Sequence, residues 1–305
     1  NGATNKFSLM SSITGSGTLT TSGGGVIELE PDINTTKTSV STGTGTQSIS
    51  AILAGTSAVT KLGTGTTILS AANTYSGATT VSAGNLGITG SLANSNVTVA
   101  TAATISGEGS VKSLSFGSGS TNLRIDGSTP GALTSTGTLT VGGTVTVDFT
   151  VPPPSTGSVV VLTHGGTTAS ASNFALANPA NFRGATFAVT STEVTLDVNK
   201  KALVWDGTTA TWEIAGSDND WNDSANDNFF TGDAVTFDET YITGAQTVTM
   251  TGALAPSGII VNNSTHKYTL TGSGISGATG LTKSGTAALD LGGANTFTGA
   301  IAING

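Results

Sequence analysis

Apolar and polar residues alternate with a period of two along much of this chain. Val145, Val147, Phe149 and Val151 alternate in TVTVDFTV, Leu123 and Ile125 in NLRID, Val194, Leu196 and Val198 in EVTLDV, and Val248 and Met250 in QTVTM. That period puts the apolar side chains on one face of a strand and Thr, Ser and Asp on the other. The strands are short, and Gly-Ser-Gly, Gly-Thr-Gly and Asn-Gly steps separate them; these residues reach positive φ cheaply at turns. No stretch holds a 3.6-residue apolar period with capping signals at its ends. The pattern predicts an all-β chain.

Short strands with frequent turns fit an antiparallel sandwich or a parallel solenoid. A repeat decides between them. Lys61 to Val81 reads KLGTGTTILSAANTYSGATTV and Lys283 to Ile303 reads KSGTAALDLGGANTFTGAIAI, 222 residues apart (283 − 61). A repeated strand-turn-strand module stacks on copies of itself, so like side chains pile into columns and small residues make the corners. Asn73 and Asn295 are then equivalent turn positions whose amides bond the backbone inside the bend. Tyr75 and Phe297 are equivalent stacked aromatics, and Gly77 and Gly299 are corners. Coils of roughly 20 to 25 residues predict about 12 to 15 of them, a rod of roughly 60 to 70 Å at ~4.8 Å per strand. Three stretches are expected: residues 1–98 with one repeat copy, an irregular 99–200 with a loop at Pro152 to Pro154, and 201–305, which opens on an insertion and returns to the repeat.

Composition narrows the function. The chain is 36% hydrophobic, enough for a core, while only 9% of its residues are charged against about 25% in ordinary domains. The basic residues are scattered from Lys6 to Lys283 under a net charge of −8, so there is no stripe for nucleic acid. Arg124 and Arg183 stand alone in the sequence, which leaves little equipment for gripping phosphates or carboxylates. The absence of cysteine fits an exported protein. No apolar run approaches the roughly 20 residues of a spanning helix. Asn1 to Leu9 does not read as a signal peptide, and Asn1-Gly2 and Asn304-Gly305 read as turns and not as caps. The expectation is a piece that continues into further repeats or stacks head-to-tail.

The two copies resemble the autotransporter-associated β-strand repeat of passenger regions in exported bacterial surface proteins. Val59-Thr60-Lys61, Ala72-Asn73-Thr74-Tyr75-Ser76-Gly77 and Thr79-Thr80-Val81-Ser82-Ala83-Gly84-Asn85-Leu86 carry the resemblance in the first copy. Leu281-Thr282-Lys283 and Ala294-Asn295-Thr296-Phe297-Thr298-Gly299 carry it in the second. The resemblance implies a right-handed parallel β-helix outside the cell, usually on a chain that ends in a translocating barrel; here Ile301 to Gly305 is still repeat.

The segment Trp205 to Glu239 holds all three tryptophans and nine of the 18 acidic residues. Asp218, Asp220 and Asn222 have the alternate spacing of an oxygen-ligand calcium loop, but Asp223 stands where a glycine is wanted and Phe229 where a glutamate is wanted. A looser calcium site would add Asp223 and Asp227; the competing reading is a loop whose Asp and Asn side chains satisfy their own turns. Trp212 and Trp221 are candidate platforms for a sugar ring, against the reading that they seal the insertion. For an enzyme, Asp126, Asp148 and Asp197 lie on separate strands, and neither His164 nor His266 has a nucleophile context. Gly107-Glu108-Gly109 and Gly117-Ser118-Gly119 lack the helix of a phosphate loop. The expected function is a non-enzymatic extracellular fibre, sheath or adhesin stalk without a cofactor. A glycan- or calcium-binding module on the insertion is the alternative, and a polysaccharide-degrading β-helix enzyme comes third.

Overall fold

The computed structural model describes residues 6–9, 13–21, 26–29, 33–41, 44–56, 58–125, 132–150, 157–216, 220–223 and 226–305, with side chains from residue 44 onward except at 157 and 226. Asp126, Pro152 to Pro154 and Asp218 lie outside the described residues. The chain is an all-β solenoid of parallel stacked sheets. Its contacts divide it into two compact units. One comprises Asn1–Thr150, Val160–Ala177 and Phe187–Leu196, and the other Val151–Val159, Asn178–Thr186 and Asp197–Gly305.

In the first unit one sheet stacks Thr46–Ile49, Thr66–Leu69, Asn85–Ile88, Thr104–Ser106, Ser120–Ile125, Thr144–Phe149 and Phe174–Leu176. A second runs from Ile13–Thr21 through Ile33–Ser41, Ala58–Leu62, Thr79–Val81, Ser91–Val99 and Ser110–Phe116 to Leu133–Val141 and beyond. Register turns the sequence alternation into columns. Thr67, Leu86, Ile105, Leu123 and Val147 lie one above the next, as do Val59, Thr79, Val97, Leu114 and Leu139, and all ten are buried. Each such aliphatic side chain gains about 1.5–3 kcal/mol on leaving water.

The second unit repeats the plan. Ala202–Trp205, Ala234–Phe237, Gly258–Asn262, Gly280–Ser284 and Ile301–Ile303 stack in parallel beside Thr211–Trp212, Gln246–Met250, Tyr268–Gly272 and Leu289–Leu291. At the insertion the pairing turns antiparallel: Trp221–Asn222 pairs with Ala202–Trp205 and with Asn226–Asp227. The insertion therefore folds back onto the coil it leaves.

Coil length varies. Val81 follows its stacking partner Lys61 by 20 residues (81 − 61), whereas Leu139 follows Leu114 by 25 (139 − 114) and Val235 follows Leu203 by 32 (235 − 203). Longer coils in the middle of the chain and at the insertion explain why the solenoid has about 11 turns and not the 12 to 15 expected from the repeat. No α-helix occurs among the described residues, and two single 3-10 turns, Ala171–Asn173 and Pro179–Asn181, interrupt the strands.

Column position sets the cost of truncation. Leu86→Ala should cost about 2–5 kcal/mol in denaturant unfolding, whereas Leu62→Ala, at a position 40% exposed, should stay within about 0.5 kcal/mol.

Candidate functional site

Two places concentrate polar side chains: the repeat module, present once in each unit, and the insertion. In the first copy Lys61 is fully buried although it stands in the column of Val81, Val99 and Phe116. Its ammonium turns into the glycine bend and donates to the carbonyls of Leu62, Gly63 and Ala83 at 2.7, 2.8 and 3.1 Å. Ala83 is one coil further on, so a single charge joins two coils. Burial lowers the Lys61 pKa. In the second copy Lys283 donates to Ser284 and Gly285 in the same way, at 2.7 and 2.6 Å. Both lysines belong to the Thr-Lys step of the repeat, but no role inside the stack is legible in the sequence; their signal is a lysine at an inward position of an alternating strand.

The turn asparagines of the two copies make the same bond to the preceding coil and similar bonds within their own bend. Asn73 Oδ1 accepts the Leu53 amide at 2.9 Å, and Asn295 Oδ1 accepts the Ile275 amide at 2.9 Å. Asn73 Nδ2 donates to Ala71, and Asn295 Nδ2 donates to Gly292, each at 2.9 Å, with a longer bond to Gly293. The aromatic position differs. The Tyr75 hydroxyl lies 2.6 Å from Thr79 Oγ1, which lies 2.8 Å from Ser95 Oγ, and Ser95 donates to the Gly77 carbonyl at 2.7 Å. Burial pushes the Tyr75 phenol up to about 12. Phe297 has no hydroxyl to place, and the residue 222 positions after Thr79 is Ile301, so the polar pair is exchanged for an apolar one. Gly299 is required by proximity: a Cβ there would lie 2.2 Å from the Thr279 carbonyl.

The insertion is built around aromatic rings. Trp205, Trp212 and Trp221 are buried. Trp221 lies 5.1 Å from Trp205 and 5.5 Å from Trp212 in edge-to-face contacts, and Phe229, Phe237 and Tyr268 complete the cluster. Stacking on a sugar requires an open ring face, and Trp212 and Trp221 spend theirs on neighbouring rings.

Of the candidate calcium ligands among the described residues, Asp220, Asp223 and Asp227 face protein groups. Asp220 is buried and accepts from the Thr209 amide and hydroxyl and, at 3.3 Å, from the Thr211 amide, closing the turn that leads into Trp212. Asp223 and Asp227 pair with Lys201 at 2.6 and 2.5 Å. Asn222 Oδ1 accepts from the Tyr241 hydroxyl at 3.4 Å. Among the described residues no group of three or more His, Asp or Glu side chains has the arrangement of a metal site.

Arg183, which stands alone in the sequence, is the hub. It bonds Asp227 at 2.8 Å, Asp233 at 2.9 Å and the Asn228 carbonyl at 2.6 Å, with its guanidinium 4.6 Å from the Phe230 ring centre. Asp233 also accepts the Lys201 and Phe230 amides. Nothing local in the sequence marks this cluster, because its partners are 44 and 50 residues from Arg183.

The residues weighed for catalysis do not converge. Burial lowers the pKa of His164, and its ring nitrogens have no hydrogen-bond partner. His266 gives its amide to Glu239 at 2.6 Å. Asp148 sits beside Arg124 across the ladder, and Asp197 is exposed. Gly107 and Gly109 are corners, where a Cβ on either would lie 2.2 Å from the carbonyl of the coil beneath.

Replacing Lys61 with Met keeps the volume and removes three donated bonds; this should destabilise the first unit by about 2 kcal/mol or more in denaturant unfolding, since buried carbonyls lose their partners. Burial opposes ionisation of Asp227, but bonds from Lys201, Arg183 and the Asn228 amide outweigh it and hold its pKa below 3.8. As the pH falls the unfolded chain takes up this proton first, so the stabilisation is complete above that value and is lost below it. Tryptophan fluorescence should therefore shift to the red on acidification below about pH 4, and Asp227→Asn should flatten that response.

No curated protein matches the chain. Residues 59–88 and 281–305 match the family model of the passenger-associated-transport-repeat, and the chain is a β-solenoid that carries one such repeat in each of its two units.

Proposed function

We propose that this chain is a non-enzymatic structural segment of an exported bacterial surface protein, a repeat-built passenger region serving as stalk, fibre or sheath. The observation that carries the reading is the use of the repeat's own polar side chains. Asn73 and Asn295 bond the coil beneath, Lys61 and Lys283 hold the carbonyls of their glycine turns, and none of the four is turned to an outside ligand. A sequence selected for stacking coils looks like this. The passenger-type repeat supports an extracellular location, as does the absence of cysteine. No helix among the described residues is long and apolar enough to cross a membrane.

Ile301 continues the column of Leu203, Val235, Ile259 and Leu281. The proposed partner is a further repeat coil, from the same polypeptide or from a second copy stacked head-to-tail, since each coil of a repeat solenoid buries its apolar face on a neighbouring coil. The other reading, a glycan- or calcium-holding insertion, has less support, since Trp212 and Trp221 are buried and the described carboxylates face Lys201 and the Thr209 turn.

Light scattering across a concentration series, with negative-stain microscopy of the same samples, tests the self-stacking form. End-to-end multimers that Ile303→Lys abolishes are expected. A chain that stays monomeric at every concentration refutes stacking between copies.

A further inference from the structure

On the outward face of the first unit, a groove of about 230 Å³ crosses three successive strands. Register explains why it is there. Ser48, Ile68, Gly87, Ser106 and Arg124 form one outward column, and Gly87 interrupts it. A Cβ on Gly87 would stand 3.3 Å from Ile68 Cγ1 and 3.4 Å from Ser106 Oγ, so the missing side chain is the floor of the groove. Thr66, Ile68, Asn85, Thr89, Ser106 and Glu108 surround it.

The lining combines one aliphatic wall, Ile68, with hydroxyls, an amide and one carboxylate, and none of its residues is basic. Asn85 Nδ2 donates to Ser106 Oγ at 3.0 Å, while Asn85 Oδ1 is buried and has no hydrogen-bond partner. A buried acceptor without a donor is a standing cost; turning the Asn85 side chain into the groove would let a ligand hydroxyl remove it.

We propose that this groove binds a single neutral hexopyranose unit of a glycan. Such a ring is amphipathic: its C–H face would lie on Ile68 and Gly87, and its hydroxyls would meet Asn85, Ser106 and Glu108. An anionic sugar would meet the Glu108 carboxylate in the lining, where no residue is basic; Arg124, the next residue of the outward column, stacks beyond Ser106 and outside the lining. A peptide strand has no backbone to pair with, because the groove lies on a sheet face whose ladder is already formed by Thr66–Leu69, Asn85–Ile88 and Thr104–Ser106. Pockets for drug-sized ligands measure about 300–1,000 Å³, so this volume suits one ring and not a longer stretch held in depth. The site is separate from the insertion, and its occupancy does not depend on whether copies of the chain stack.

Saturation-transfer NMR of the purified chain with cellohexaose and maltohexaose, and with a hexagalacturonate as anionic control, tests the assignment. At least one neutral oligosaccharide should bind, in preference to the uronate. Gly87 does not adopt a positive φ, so Gly87→Ala adds a methyl to the floor without backbone strain, with the Ile68 and Ser106 side chains giving way slightly, and should weaken binding at least about tenfold while circular dichroism shows the variant folded. Ile68→Ala, at a half-buried position, provides the same check by removing the aliphatic wall. The proposal fails if neither neutral glycan binds, if hexagalacturonate binds better, or if both variants bind like the parent chain.

Discussion

The hydrogen-bond ladder between successive coils is the constraint from which the rest follows. Asn85 bonds Gly65, Thr104 bonds Gly84 and Asn122 bonds Ala103, each amide reaching the coil before it at 2.8 to 3.1 Å. A parallel ladder fixes the spacing of strands at roughly 4.8 Å and allows no slippage, since a one-residue shift would turn the inner column outward. Corners inherit that spacing. At Gly90 and Gly109 a Cβ would come within 2.1 and 2.2 Å of a carbonyl in the coil below. The chain's 43 glycines are thus explained in part by the closeness of backbone to backbone at the bends, and not by flexibility.

Bends leave carbonyls and amides without ladder partners inside the stack, and buried groups of this kind must be paired. The solenoid solves the problem with a few repeated side chains: the amide of Asn73 or Asn295 reaches an amide one coil away, and the ammonium of Lys61 or Lys283 gathers the carbonyls of a glycine turn. The insertion departs from the ladder and needs a different solution. There the aromatic rings of Trp205, Trp212, Trp221 and Phe237 supply a compact core, and Arg183, Lys201 and the carboxylates around them tie the loop ends together. Pairing the charges in this way ties such a loop together.

Strand alternation and the two repeat copies are enough to read a parallel solenoid and the bonding of Asn73 inside its bend. Those features are local or periodic, and a period survives in the sequence whatever the tertiary context. Other features were not legible. Lys61 reads as a motif residue without a role until the ladder places it in the column of Val81 and Val99. Arg183 reads as isolated because Asp227 and Asp233 reach it only through the fold. Trp212 and Trp221 admit two readings, seal and ligand platform, since an indole is amphipathic and only burial separates the two.

The sequence by itself determined the class of fold and the equivalence of the two repeat copies, because alternation and repetition dictate which kind of backbone ladder forms. Only the tertiary structure decided the length of the irregular coils, the partners of the charged residues and the groove over Gly87. Each of these depends on side chains, or their absence, brought together from separate coils across the stack, where no local pattern records them.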